Sequence, residues 1–157
     1  MKLKHGILTL SLGLAVALGG FSGSQAFFNS PLAANSHYRP INFGMGYEMY
    51  VDLSSLETVK DDGLGWIFKV NLFRSPEDSG AIEGTYTLTY KIAHGQAWLY
   101  NDSTHSWQEI PMRKKELKHN QIADFVAVNL CYKQKTGQYL NDDYGYAKGM
   151  EHYYKGE

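Results

Sequence analysis

The chain has 157 residues, 43% of them hydrophobic and 14% aromatic, with 15 Lys and Arg set against 16 Asp and Glu. That balance leaves no dense basic stripe of the kind that neutralises phosphates, which sets nucleic acid aside as a partner. The single cysteine, Cys131, rules out an internal disulfide, so stability rests on packing.

Residues 1–26 read as an export signal. Lys2 and Lys4 form a basic start, an apolar run extends from Ile7 to Leu18, and Ser24-Gln25-Ala26 places small residues where a signal peptidase cuts. The run is too short to span a bilayer and no second one follows, so no membrane-spanning segment is expected. No cysteine stands near the cleavage site, which sets a lipidated N-terminus aside. Cleavage after Ala26 leaves 131 residues with 13 basic and 16 acidic side chains, a balance of −3. A chain of that size suits one core and buries about two thirds of its unfolded surface. The expected location is export: periplasmic, cell-surface associated or secreted.

From Phe27 to Phe43 the sequence shows no period and reads as an irregular lead-in, with a single α+β domain over 44–157. Tyr47, Met49 and Val51 alternate with Glu48, Tyr50 and Asp52 as in a half-buried strand. Asp52-Leu53-Ser54-Ser55-Leu56 then breaks it, because Asp and Ser side chains compete for nearby backbone N–H groups. Lys60-Asp61-Asp62-Gly63 is a turn. The next strand, Gly65 to Phe73, sets Trp66, Phe68, Val70 and Leu72 on one face. After the loop 75–80, Gly84 to Ile92 places Tyr86, Leu88, Tyr90 and Ile92 on a core face and Thr85, Thr87, Thr89 and Lys91 toward water.

Ala93-His94-Gly95 turns the chain into Gln96–Tyr100, and Asn101–Thr104 turns it toward Trp107–Ile110, which Pro111 stops. Short turns leave no room for crossover helices, so the strands form an antiparallel meander. The period then becomes helical: Ile122, Phe125, Val126 and Leu130 share a face, Asn120 is placed to cap, Asp124 and Lys133/Lys135 complement the dipole, and Gly137 ends the run. Ala123, Ala127 and Val128 leave little polar surface, so this helix is expected to lie on the sheet's apolar face. Residues 138–157 read as a last strand or a tail. The predicted architecture is therefore α+β, an antiparallel β-meander with one helix from the C-terminal half packed on it.

Tyr50-Val51-Asp52-Leu53-Ser54-Ser55-Leu56, an aromatic-rich strand after it, and a late apolar helix ending in Val128-Asn129-Leu130-Cys131 together resemble the surface-adhesin E family of small exported bacterial proteins. The resemblance covers, in order, some two thirds of the chain beyond the signal. It implies an antiparallel sheet crossed by a helix, a surface or periplasmic binding role, and no enzyme. Members of that family tie the late helix to the sheet through a cysteine pair. Here Cys131 has no partner among the strand residues.

No residue pattern carries catalysis. There is no Gly-x-Ser-x-Gly elbow, Gly44-Met45-Gly46 lacks the third glycine of a phosphate loop, and Cys131 lies near a helix C-terminus, where the dipole disfavours a thiolate. His37, His94, His105, His119 and His152 match no metal spacing. Asn141-Asp142-Asp143 fails the EF-hand pattern, because Tyr146 stands where Gly is required, and reads as turn chemistry. No catalytic residue, metal or cofactor is expected. Trp66 belongs to the core by its alternation with Phe68 and Val70, whereas Trp98, Tyr100 and Trp107 are the candidate ligand-binding residues, since flat aromatics stack on sugars and are enriched at interfaces. The expected function is a non-catalytic binding or adhesin-like role toward a protein or glycan at the envelope; the alternative is a glycan-binding module using exposed aromatics.

Overall fold

A computed structural model describes residues 30–113, 115–142 and 145–155. The export-signal reading of residues 1–26 lies outside the described residues. Six strands form one antiparallel sheet in sequence order: β1 (Tyr38–Gly44), β2 (Tyr47–Asp61), β3 (Gly65–Pro76), β4 (Glu83–Ala93), β5 (Gln96–Asn101) and β6 (Ser106–Ile110). The helix α1 (Ile122–Thr136) packs on one face, and a second helix, α2 (Tyr146–Lys155), follows it. The α+β meander with a late helix on its apolar face is therefore the fold of this chain.

The core joins the sheet to α1. Val51, Trp66, Phe68, Val70, Leu72, Tyr90, Ile92, Ala97 and Ile110 from the strands meet Phe125 to Cys131 of the helix, with Ala147 and Met150 of α2 beyond. All seven residues from Phe125 to Cys131 are buried. A helix buried on every side needs cover beyond the sheet, and α2, which packs against both α1 and β1, supplies it together with the segment before it. Asn129, fully buried, shows how. Its Nδ2 donates to the Phe125 carbonyl at 3.0 Å, and its Oδ1 accepts from the Asn141 N–H at 3.0 Å, so no polar atom of the amide is stranded. Lys133 pairs with Glu151 at 2.5 Å and thereby joins α1 to α2.

Three sequence expectations are corrected. The lead-in 27–43 contains β1, which Pro40 and the unpatterned flanks conceal; residues 27–29 lie outside the described residues. The expected break after Asp52 is a bulge inside β2. Asp52 Oδ1 accepts from the Ser54 N–H at 2.9 Å, and Ser55 Oγ accepts the Asn71 N–H at 2.8 Å, standing in for a ladder carbonyl, so pairing resumes at Glu57. The C-terminal stretch is helical rather than a strand or tail. Asp142 precedes it, its carboxylate accepting the N–H groups of Ala147 at 3.0 Å and Lys148 at 2.8 Å and so capping the first turn of α2, while Asp143 lies outside the described residues.

The second face of the sheet is covered in part. Residues opposite one another in a ladder share a face, so Pro40, Tyr50 and Phe73 lie together, as do Glu48 and Ser75. Tyr50 stacks on Phe73 at 5.3 Å, Tyr38 meets Phe73 edge-on at 4.9 Å, and all of Pro40, Tyr50 and Phe73 are buried. The short 3-10 turn Pro31–Ala34 closes over this end and presses on Gly80, where an added Cβ would lie 2.9 Å from Pro31 Cγ. Among the described residues, no segment covers the opposite end of the same face, from the first half of β3 to β6.

Candidate functional site

The hairpin turns of β4–β6 set the register that builds the site. His94 and Gly95 both take positive φ, 52° and 74°, the mirror-image turn that fits the twist of paired strands, and Ala93 and Gln96 close it. In the next turn Asn101 Oδ1 accepts the N–H groups of Ser103 at 2.9 Å and Thr104 at 3.1 Å, which fixes Asn101 opposite Ser106. With those registers Ala97 and Leu99 face the core and Trp98 and Tyr100 face outward. Trp107 stands directly across from Tyr100, and Lys91 of β4 directly across from Trp98.

The three candidate aromatics are thus brought together on the open face. Tyr100 and Trp107 meet edge to face with centroids 5.2 Å apart. Lys91 reaches over both indoles, its Nζ 4.4 Å from the Trp98 centroid and 4.9 Å from that of Trp107, within cation–π range of each. Trp98, Tyr100, Trp107 and Lys91 are all half-buried, so their rings are partly wet yet held in place. Farther across the face, Thr87 Oγ1 donates to Asn71 Oδ1 at 2.6 Å, and Lys69 is exposed.

Beside this platform lies a cleft of about 430 Å³, lined by His94, Gln96, Glu109, Met112, Arg113, Glu116 and Asn141 among others. Glu109, opposite Trp98 in the β5–β6 ladder, belongs to both features. Trp66 is not part of the platform. It is 5% exposed, stacks on Phe68 at 4.0 Å and donates its indole N–H to Thr58 Oγ1 at 3.0 Å, a core residue with its polar edge satisfied.

Other titratable groups serve the fold. Tyr90, fully buried, donates its hydroxyl to Asp124 at 2.8 Å; burial pushes the Asp124 carboxyl above its ordinary range and that phenol well above its own. Burial likewise pushes the Cys131 thiol far up, so it sits in the core as a neutral apolar group. Glu48 is only 1% exposed. It accepts from the Tyr50 hydroxyl at 2.6 Å and from Ser30, and desolvation, with Asp78 and Glu77 adding like charge, raises its carboxyl above the usual carboxylate range. His37, His94, His105 and His119 are exposed, and the His152 side chain lies outside the described residues. Among the described residues no group of three or more His, Cys, Asp or Glu is placed to hold a metal ion, and no helix is long and apolar enough to cross a membrane.

Compared with known proteins, the chain matches no family model, and neither curated proteins nor solved structures yield a significant match.

Sequence reasoning missed Lys91, Glu109 and the polar cleft. Lys91 was legible as a water-facing residue of β4, but its place over two indoles depends on the β4–β5–β6 register, which no local pattern states. Glu48 was missed for the complementary reason: a carboxylate in an alternating strand reads as solvent-facing until residues 30–40 are known to fold over it.

Proposed function

We propose that this is an exported bacterial protein that acts by binding and not by catalysis, and that Trp98, Tyr100 and Trp107 form its ligand surface, taking the sugar rings of an envelope or extracellular glycan. One observation carries this reading: three aromatic side chains, two of them indoles, converge on a part of the sheet that no described segment covers and stay half-exposed, beside half-buried Ile67 and the polar Lys69, Asn71 and Thr87. An aromatic face offers a pyranose a flat apolar surface, and rings held by a sheet lose little freedom on binding. The export-signal pattern and the resemblance to surface-adhesin E proteins support the same placement outside the cytoplasm.

Titration of intrinsic Trp fluorescence with a panel of soluble cell-wall and host oligosaccharides tests it. Saturable quenching is expected, and Trp98→Ala and Trp107→Ala should each abolish it while leaving the far-ultraviolet circular dichroism unchanged. A fully active Trp98→Ala/Trp107→Ala double variant would remove the platform from consideration.

A protein partner is the second reading, favoured by the β1–β2 hairpin tip. Phe43 and Tyr47 are exposed there and Met45, between two glycines, is wholly so. Exposed apolar side chains gathered at one turn mark a protein contact more readily than a sugar contact. Capture of immobilised matrix proteins that is lost in Met45→Ser, but not in Trp98→Ala, would select this reading over the first.

A further inference from the structure

We propose that the platform selects acidic glycans, sugars bearing a carboxylate or sulfate, and that Lys91 is the residue that reads the anion. This rests on the reading of Trp98, Tyr100 and Trp107 as the ligand surface. The Lys91 ammonium stands over the indole faces of Trp98 and Trp107, the surfaces a sugar ring would use. Lys91, like Lys69, makes no ion pair among the described residues, and it alone of the two stands over the indoles of Trp98 and Trp107. Among the described residues its charge is met by two ring quadrupoles and its N–H donors find no side-chain acceptor.

A neutral sugar stacking on these indoles must displace the ammonium and gives it nothing in return. An acidic sugar displaces it equally, then receives it in a charge-assisted hydrogen bond, stronger than a neutral one. Lys91 thus penalises uncharged ligands and rewards anions. Glu109, opposite Trp98 on the far side from Lys91, is exposed and adds at most a screened repulsion at that end, so the selection rests on Lys91. Half-burial of Lys91 lessens the screening that would erase the effect at a fully exposed lysine.

The test is isothermal titration of the full chain with matched pairs of oligosaccharides, each uronate-containing oligomer set beside its carboxyl-reduced counterpart of the same length and linkage. Acidic members are expected to bind about ten-fold tighter than their reduced partners, the yield of one hydrogen bond to a charged group. Lys91→Met should erase that ratio by weakening the acidic ligands, Lys91→Arg should keep it, and Trp98→Ala should lose both classes. Equal affinity within pairs, or a ratio unchanged in Lys91→Met, overturns the acidic selectivity while the platform stands. Absence of binding by every pair in the unsubstituted protein overturns both.

Discussion

Phe125→Ala tests the placement of α1 on the sheet. The ring is fully buried, belongs to the cluster that joins β3 and β4 to the helix, and meets Tyr146 of α2 edge-on with centroids 6.3 Å apart and planes at 82°. Losing a buried aromatic side chain forfeits about 1.5–3 kcal/mol of transfer free energy. The broken pair with Tyr146 adds about 0.5–1.5 kcal/mol. A cavity between sheet and helix that neither rigid layer can close brings the total to about 3–5 kcal/mol. For a chain of this size that lowers the midpoint of thermal unfolding by roughly 10–20 °C. Urea unfolding followed by Trp fluorescence and by circular dichroism measures it, with the slope against denaturant unchanged. A double-mutant cycle with Tyr146→Ala should return the ring–ring coupling of about 0.5–1.5 kcal/mol. A loss below about 1 kcal/mol for Phe125→Ala, the range of surface substitutions, would mean that the ring faces solvent and that α1 does not lie as described.

Three further outcomes follow from the packing. Because the folded protein holds the Glu48 proton more tightly than the unfolded chain does, the contribution of Glu48 to stability is fully present below the ordinary value of 4.5 and is lost as pH rises through the raised folded value; Glu48→Gln should flatten that fall, read from urea midpoints between about pH 4 and 8, and an unchanged or steeper slope would contradict it, Asp124 contributing a residual slope of the same sign. Gly80→Ala should cost more than Gly84→Ala, since both take positive φ, at a cost of about 1–2 kcal/mol, but only Gly80 would also drive a Cβ into Pro31; faster amide exchange at residues 31–35 in Gly80→Ala alone is the accompanying sign, and equal losses would show that Pro31 yields freely. Cys131 should resist thiol reagents at neutral pH in the native protein and react at the rate of global unfolding, whereas prompt native labelling would place it outside the core.

Short-range patterning already contained much of this fold. The two-residue rhythm of Trp66–Leu72 and the helical spacing of Ile122, Phe125, Val126 and Leu130 are consequences of backbone geometry, and each survives in the structure because burial on one side rewards it. The reading of Tyr86, Leu88, Tyr90 and Ile92 as one core face holds for the last three, Leu88 being partly buried against the core, and fails for Tyr86. Asp124 in the first turn of α1 reaches Tyr90, so Tyr86 lies past the end of the cover and stays 39% exposed. Along β2 the more buried face is that of Glu48 and Tyr50, not that of Tyr47 and Met49, because an unpatterned segment folds back over it.

By itself the amino-acid order determined the meander, its late buried helix and the core role of Trp66, since alternation and turn chemistry act within a few residues. Only the tertiary structure decided that Trp98 and Tyr100 face outward with Trp107 beside Tyr100, that Lys91 lies over two indoles, that Glu48 is enclosed and that α2 packs against α1 and β1. Those facts depend on strand register and on segments distant in the chain meeting across a face, and a periodicity of two or of 3.6 residues carries no information about which neighbour it will find.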